Sequence, residues 1–238
     1  MMFHPDGPTF LELMQQAFSG TTEGYDLLAP KFDLTPFRTP EDLLEIVAHE
    51  VGPMDRALDL CCGTGAAMQA LKPHAREVVA GIDLSAGMLK VARERLQEVP
   101  GTAEVELIQG DVLNWPFDGS WDVTTCFGAF GHILVPDEPL FVQQIKRALR
   151  PGGRFVFITT GVPDNRNWQV WAARGFNLCM HIRNAVIHPP FHMYYLTFRL
   201  PRARALLEAQ GFTVVVQRDL FPEPFRRALL VTATAPQA

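Results

Sequence analysis

Ala57-Leu58-Asp59-Leu60-Cys61-Cys62-Gly63-Thr64-Gly65 is the stretch that decides the fold of this chain. An apolar run carrying one acid ends in Gly-X-Gly, the pattern of a buried strand that turns sharply into a helix. In an α/β protein such a turn brings the main chain against a nucleotide. Two glycines also serve many plain strand-to-helix turns, so the surrounding residues must choose between readings. The third glycine of the dinucleotide fingerprint is absent, with Met68 in its place. Asp59 would hold a carboxylate close to a doubly negative pyrophosphate, and like charges at that range repel.

Outward from this loop, Glu77-Val78-Val79-Ala80-Gly81-Ile82-Asp83 reads as a second buried parallel strand that ends on an acid. Asp83 lies about twenty residues past the glycines, where a carboxylate accepts from both ribose hydroxyls. Ser85 supplies the cap for a helix predicted over 86–98, which frees Asp83 for a ligand. The two acids favour S-adenosylmethionine, whose ammonium and sulfonium are cationic where NAD is anionic. A third strand, Val105 to Gly110, runs into Asp111-Val112, and a fourth, Trp121 to Phe127, runs into Gly128-Ala129-Phe130-Gly131-His132. Asp111 suits an adenine amino group and Val112 the ring, although an aspartate there serves equally as a turn cap. Gly128 lets a ligand approach the main chain.

These residues carry a resemblance. The chain is similar to class I S-adenosylmethionine-dependent methyltransferases of the small-molecule type, well over roughly residues 55–160. The match rests on the Asp59–Gly65 loop, Asp83, Gly110-Asp111, Phe127-Gly128 and the turn Leu149-Arg150-Pro151-Gly152-Gly153-Arg154. That turn is expected to end a helix over 140–149 with two glycines able to take positive φ and then start a fifth strand at 155–160. The resemblance implies a doubly wound, Rossmann-like sheet of seven strands with the last one antiparallel. It also implies S-adenosyl-L-methionine as cofactor, held by Asp59, Cys61, Gly63, Thr64, Gly65, Asp83, Leu84, Met88, Asp111, Val112, Phe127, Gly128 and Tyr25. Cys61 departs from the pattern, because many relatives have glycine there.

At 238 residues, 47% hydrophobic and 20% charged, the chain has ordinary globular composition. We expect one domain over 1–238, made of a helical cap (1–53), a cofactor-binding core (54–160), a substrate-side insert (161–200) and a closing helix with two strands (201–238). The net charge of -5 gives no global attraction to nucleic acid, and no stretch has the apolar length of a membrane span. The start of the chain lacks the basic and apolar regions of a signal peptide, so a cytoplasmic location is expected. Four cysteines without metal-ligand spacing read as reduced thiols.

In the cap, Thr9 and Glu12 stand at capping-box spacing with Gly20 as a stop, and a second helix is expected to start at Thr39-Pro40. The aromatic segment from Tyr25 to Asp33 between them either closes over the cofactor, as in similar methyltransferases, or packs the helices. Near the other end, a helix over 201–210 precedes strands at 212–220 and 228–234, which a short link makes antiparallel neighbours.

The segment 165–207 has arginines at 166, 174, 183, 199, 202 and 204 and no Asp or Glu. It suits a small-molecule methyl acceptor that is anionic or aromatic, with Trp168, Trp171, Phe176, Phe191, Tyr194 and Tyr195 as pocket walls. Solvated arginines and core aromatics are the plainer alternative. Pro189 and Pro190 argue against a metal site from His181, His188 and His192, and none is assigned. If the acceptor must lose a proton, His132 at the edge of the fourth strand is the expected base, with those three histidines as alternatives. Rival functions are an NAD-dependent oxidoreductase, a non-methylating enzyme on the same cofactor, and a regulatory protein that binds without turnover. The fourth strand lacks the Asn/Asp-Pro-Pro-Tyr run of amino-directed nucleic-acid enzymes, which argues against that partner. Nothing in the sequence sets an oligomeric state.

Overall fold

A computed structural model describes residues 4–35 and 37–237. Seven strands form one sheet in the order β3-β2-β1-β4-β5-β7-β6. They are β1 (Met54–Leu60), β2 (Ala75–Asp83), β3 (Glu104–Gln109), β4 (Trp121–Thr125), β5 (Leu149–Thr159), β6 (Thr213–Gln217) and β7 (Leu229–Thr234). The first five run parallel, and β7 pairs antiparallel with both β5 and β6. The strand order reverses between β1 and β4, so the crevice at their carboxyl ends is where an open α/β sheet binds ligand. The expected architecture is the observed one.

Both sheet faces are buried, which is why the central strands read as continuous apolar runs rather than alternating ones. On one face Leu58, Leu60, Ala80, Ile82, Phe155 and Phe157 pack against α6 (Glu138–Ala148) and α8 (Leu200–Ala209). On the other, Ala57, Val79, Val123 and Val156 meet α3 (Glu41–Val51), α4 (Ala66–Leu71) and α5 (Ala86–Leu96). Each large side chain fully removed from water contributes about 1.5–3 kcal/mol, so these two layers hold the strand ends rigidly in place.

Several boundaries differ from expectation for local reasons. Helix α6 stops at Ala148, and Leu149 already pairs with Trp121, so the Pro-Gly-Gly turn lies inside β5 as an irregularity and does not cap the helix. Of its two glycines only Gly152 takes positive φ (72°). Gly153 is needed for space, since a Cβ there would come 2.9 Å from the Arg150 and Trp121 carbonyl oxygens. Among the described residues the cap holds three α-helices where two were expected: α1 (Phe10–Phe18), α2 (Thr21–Leu28) and α3. Thr9 and Glu12 form the predicted capping box, but Ser19 closes α1 and Gly20 opens α2. The insert contains a long helix, α7 (Trp168–Val186), that the sequence reading did not place. Among the described residues no helix is long and apolar enough to cross a membrane.

Candidate active site

The carboxyl ends of β1, β2, β3 and β4 open into one cavity of about 1010 Å³. Its wall includes Tyr25, Asp59, Cys61, Gly63, Thr64, Asp83, Leu84, Met88, Asp111, Val112, Phe127, Gly128 and His132, so the structure brings these predicted residues together. Gly65 is the exception. It takes φ 79° at the start of α4, and a Cβ there would sit 3.1 Å from Ala92 Cβ, so it serves the packing of α4 on α5 and lies outside the wall.

Asp59 stands opposite Thr125 in the β1–β4 register and accepts a hydrogen bond from its hydroxyl at 2.7 Å. It is 3% exposed, and burial pushes its carboxyl up to about 7. A buried acid with one neutral donor is poorly solvated as an anion, so a cationic ligand group would restore its ionised form. Asp83, at the end of β2, accepts from Gly63 N and Ser85 N, both at 2.9 Å. Burial, the largest influence, raises this carboxyl as well. Ser85 caps α5 by accepting from Met88 N, as the sequence suggested.

The loop between these acids is shaped for close approach. Gly63 takes φ 52°, and a Cβ there would meet nothing within 4 Å, so its main chain faces open cavity. Cys61 adopts φ 56°, a left-handed conformation that L-residues take only under strain, which explains why glycine suits this position. Met68 is fully buried, and Gly81 on β2 provides its space: a side chain at 81 would collide with Met68 Sδ and Cys62 Sγ. The helix–strand packing that a third glycine would serve is thus met from the strand side.

Asp111 holds its own turn, accepting from Leu113 N at 2.9 Å and Asn114 Nδ2 at 2.7 Å. Its cap role is therefore real, and it still lines the cavity beside the buried Val112.

The cap closes over this floor through two carboxylates that sequence reasoning missed. Asp26 on α2 accepts from Ser85 Oγ at 2.6 Å and Gly87 N at 2.8 Å, docking α2 on the amino end of α5. Asp33 accepts from Thr64 Oγ1 at 2.6 Å and pairs with Arg38 and Arg95. Both lie inside the Tyr25–Asp33 segment singled out for its aromatics.

Tyr25 and His132 form a pair. The His132 Nδ1 lies against the His192 carbonyl, which can only accept, so Nδ1 carries the proton. Nε2 is then the acceptor for the Tyr25 hydroxyl at 3.0 Å. Burial lowers the His132 pKa and raises that of Tyr25, so both are neutral near pH 7.

The insert departs from its expected role. Trp168 and Trp171 are 72% and 59% exposed and lie outside the cavity wall, whereas Tyr194 and Tyr195 line it and Phe191 stacks on Tyr25. Most of the arginines are structural. Arg183 binds the carbonyls of Ala17, Ser19 and Pro189, Arg202 pairs with Glu138, Arg204 with Glu208, and Arg174 lies over Trp171. Arg199 alone of the six reaches the cavity wall. Of the three histidines offered as alternative bases, only His192 lines the cavity.

Comparison with known proteins agrees with this geometry. A family model described as a methyltransferase domain matches residues 57–153. A demethylmenaquinone methyltransferase of Listeria welshimeri is 38% identical over 115 residues, 47% of this chain and 48% of that one. One from Lactococcus lactis subsp. lactis is 31% identical over 162 residues, 64% and 60% of the two chains. The chain thus spans about half the length of the first of these relatives. The solved DhpI–SAH complex superposes with a TM-score of 0.65 over 96% of this chain and all of that one, a likeness of fold at 19% identity. Over residues 57–153 the chain is thus similar to a methyltransferase domain, on a fold that it shares with the DhpI–SAH complex.

Proposed function

We propose that this chain transfers a methyl group from S-adenosylmethionine to a small-molecule acceptor that presents an aromatic or otherwise apolar body. The observation that carries the reading is the pair of acids, buried Asp59 and part-buried Asp83, on neighbouring strand ends of one cavity. The residues present fit the cofactor. Asp59 would receive its ammonium, the open main chain at Gly63 its methionyl chain, Asp83 its ribose, and Asp111 with Val112 its adenine. When bound, the sulfonium supplies a methyl carbon already activated for in-line displacement.

The protein's own contribution is alignment, exclusion of water and removal of one proton. Cap segment Tyr25–Asp33, latched by Asp26 and Asp33, screens the site. A hydroxyl or acidic C–H acceptor would pass its proton to the Tyr25 oxygen as the Tyr25 proton moves to His132 Nε2, with the His192 carbonyl holding the imidazole in the required tautomer. The base is therefore a Tyr25–His132 pair and not a lone histidine.

For the acceptor, the cavity wall offers Phe32, Phe37, Phe127, Phe130, Tyr194 and Tyr195. That lining and the demethylmenaquinone relatives support an aromatic acceptor over a purely anionic one. Calorimetry with S-adenosylhomocysteine and with NAD tests the cofactor. Saturable binding of the first and none of the second is expected, and the reverse refutes the reading. Product detection by mass spectrometry against aromatic and quinol candidates then tests transfer.

A further inference from the structure

Helix α7 is amphipathic with its faces reversed. Its inward side carries Asn177, Arg183 and Asn184, which hydrogen-bond to Tyr195, to the Ser19 carbonyl and to Phe191. Its outward side carries Trp168, Trp171, Leu178, Ile182 and Val186, at 58–77% exposure. These recur at the three- and four-residue spacing of one helix face, and the nineteen residues span about 28 Å. A water-facing helix buries such a stripe, so this one is built to meet something apolar outside the chain. Exposed apolar residues also occur on α1. Arg183 ties the end of that helix to α7 through the Ala17 and Ser19 carbonyls, and Phe10, Leu11 and Phe18 are exposed there.

Charge selects the occupant. The chain carries -5 overall, yet 165–207 contains no acid, and Arg174 and His181 flank the stripe with Arg166 just before it. Self-pairing of two α7 faces would bring Arg166 and Arg174 of both copies together with no carboxylate from the segment to meet them. A layer of anionic lipid headgroups offers the complementary sign and an apolar interior beneath it. The paired tryptophans at one end of the stripe suit the headgroup boundary, where such rings concentrate.

We infer that α7 docks flat on an anionic lipid bilayer, with its Trp168–Val186 stripe seated at the headgroup–acyl boundary. Asn177 binds both the Tyr195 amide and its carbonyl, and Tyr195 lines the cavity, so docking sets the cavity wall beside the lipid. The docking surface stands apart from the methyl-transfer reading and is tested without turnover.

The test is sedimentation of the full chain with vesicles of phosphatidylcholine and phosphatidylglycerol, against phosphatidylcholine alone, with tryptophan emission followed in parallel. Expected are co-sedimentation with the anionic vesicles, release by high salt and a blue shift, because Trp115 and Trp121 are already sheltered while Trp168 and Trp171 are not. The W171E/I182E variant is expected to lose at least about tenfold in partitioning with an unchanged melting curve. R174E keeps the apolar face and provides a second variant, expected to lose the preference for anionic vesicles. Three results overturn the inference: a wild-type chain that stays in the supernatant, a variant pair that binds like wild type, or a dimer that W171E/I182E converts to monomer.

Discussion

Asp59 gives the most demanding prediction, because one buried carboxyl must serve two opposed requirements. Its folded-state pKa of about 7 lies above the unfolded value of about 3.9. The folded chain therefore binds more protons than the unfolded chain between these values, and stability falls as pH rises through that window. Three pKa units correspond to about 4 kcal/mol as an upper bound, fully expressed above pH 7. Replacing the acid by its neutral isostere, D59N, should accordingly stabilise the ligand-free protein at pH 8 and leave it little changed at pH 4. Binding runs the other way. A ligand ammonium prefers the ionised acid, of which about 1% is present at pH 5 and about half at pH 7, so affinity should rise about 50-fold across that range. An α-amino group near 7.7–8.0 stays protonated throughout the window, which leaves the protein's carboxylates to set the slope. Loss of the charge-assisted bond in D59N should weaken binding at pH 7 by about 1.5–3 kcal/mol, roughly 10- to 150-fold. Titration calorimetry of S-adenosylhomocysteine at pH 5, 6 and 7, with thermal melts of the free proteins at pH 8, measures both effects. Wild-type affinity that is flat over the range, or a D59N variant that binds like wild type, would refute the reasoning.

Three further outcomes follow from the same geometry. Y25F and H132Q should each lower turnover by about 10²-fold or more while S-adenosylhomocysteine affinity is kept, since they act on the acceptor's proton; turnover near wild type in either would remove the pair from the reaction. Gly81→Val should cost about 1–3 kcal/mol, read as a lower melting temperature, because its side chain would be driven into Met68 and Cys62. D26A should cost about 1 kcal/mol and speed proteolytic cleavage within α2, as the cap loses its hold on Ser85 and Gly87. An unchanged cleavage rate would show that the latch lies elsewhere.

What the sequence made legible divides along the range of the interactions involved. Gly63, Asp83 and the apolar strands could be read because a sheet buried on both faces and a turn with positive φ each restrict residue type locally. Asp26 and Asp33 could not, since an acid on a helix or loop has the same local pattern whether it meets water or a hydroxyl more than thirty residues away. The tyrosine partner of His132 lies 107 residues earlier, beyond any spacing rule. Trp168 and Trp171 misled for a related reason: aromatic residues usually read as core or pocket wall, and only the orientation of α7 shows that they point outward.

The same distinction bears on how the site is assembled. The floor comes from strand ends held by two packed layers, so Asp59 and Asp83 are fixed before any ligand arrives. The proposed proton-accepting pair is split between parts of the chain: His132 follows β4, Tyr25 belongs to the cap, and the His192 carbonyl comes from the insert. Opening the cap would part Tyr25 from His132 and admit water, while closing it restores the hydrogen bond and the screen together. On the proposed mechanism, closure over the cofactor would complete the base. Weakening the Asp26 latch should then lower turnover more than it lowers cofactor affinity, a split that a merely structural cap would not produce.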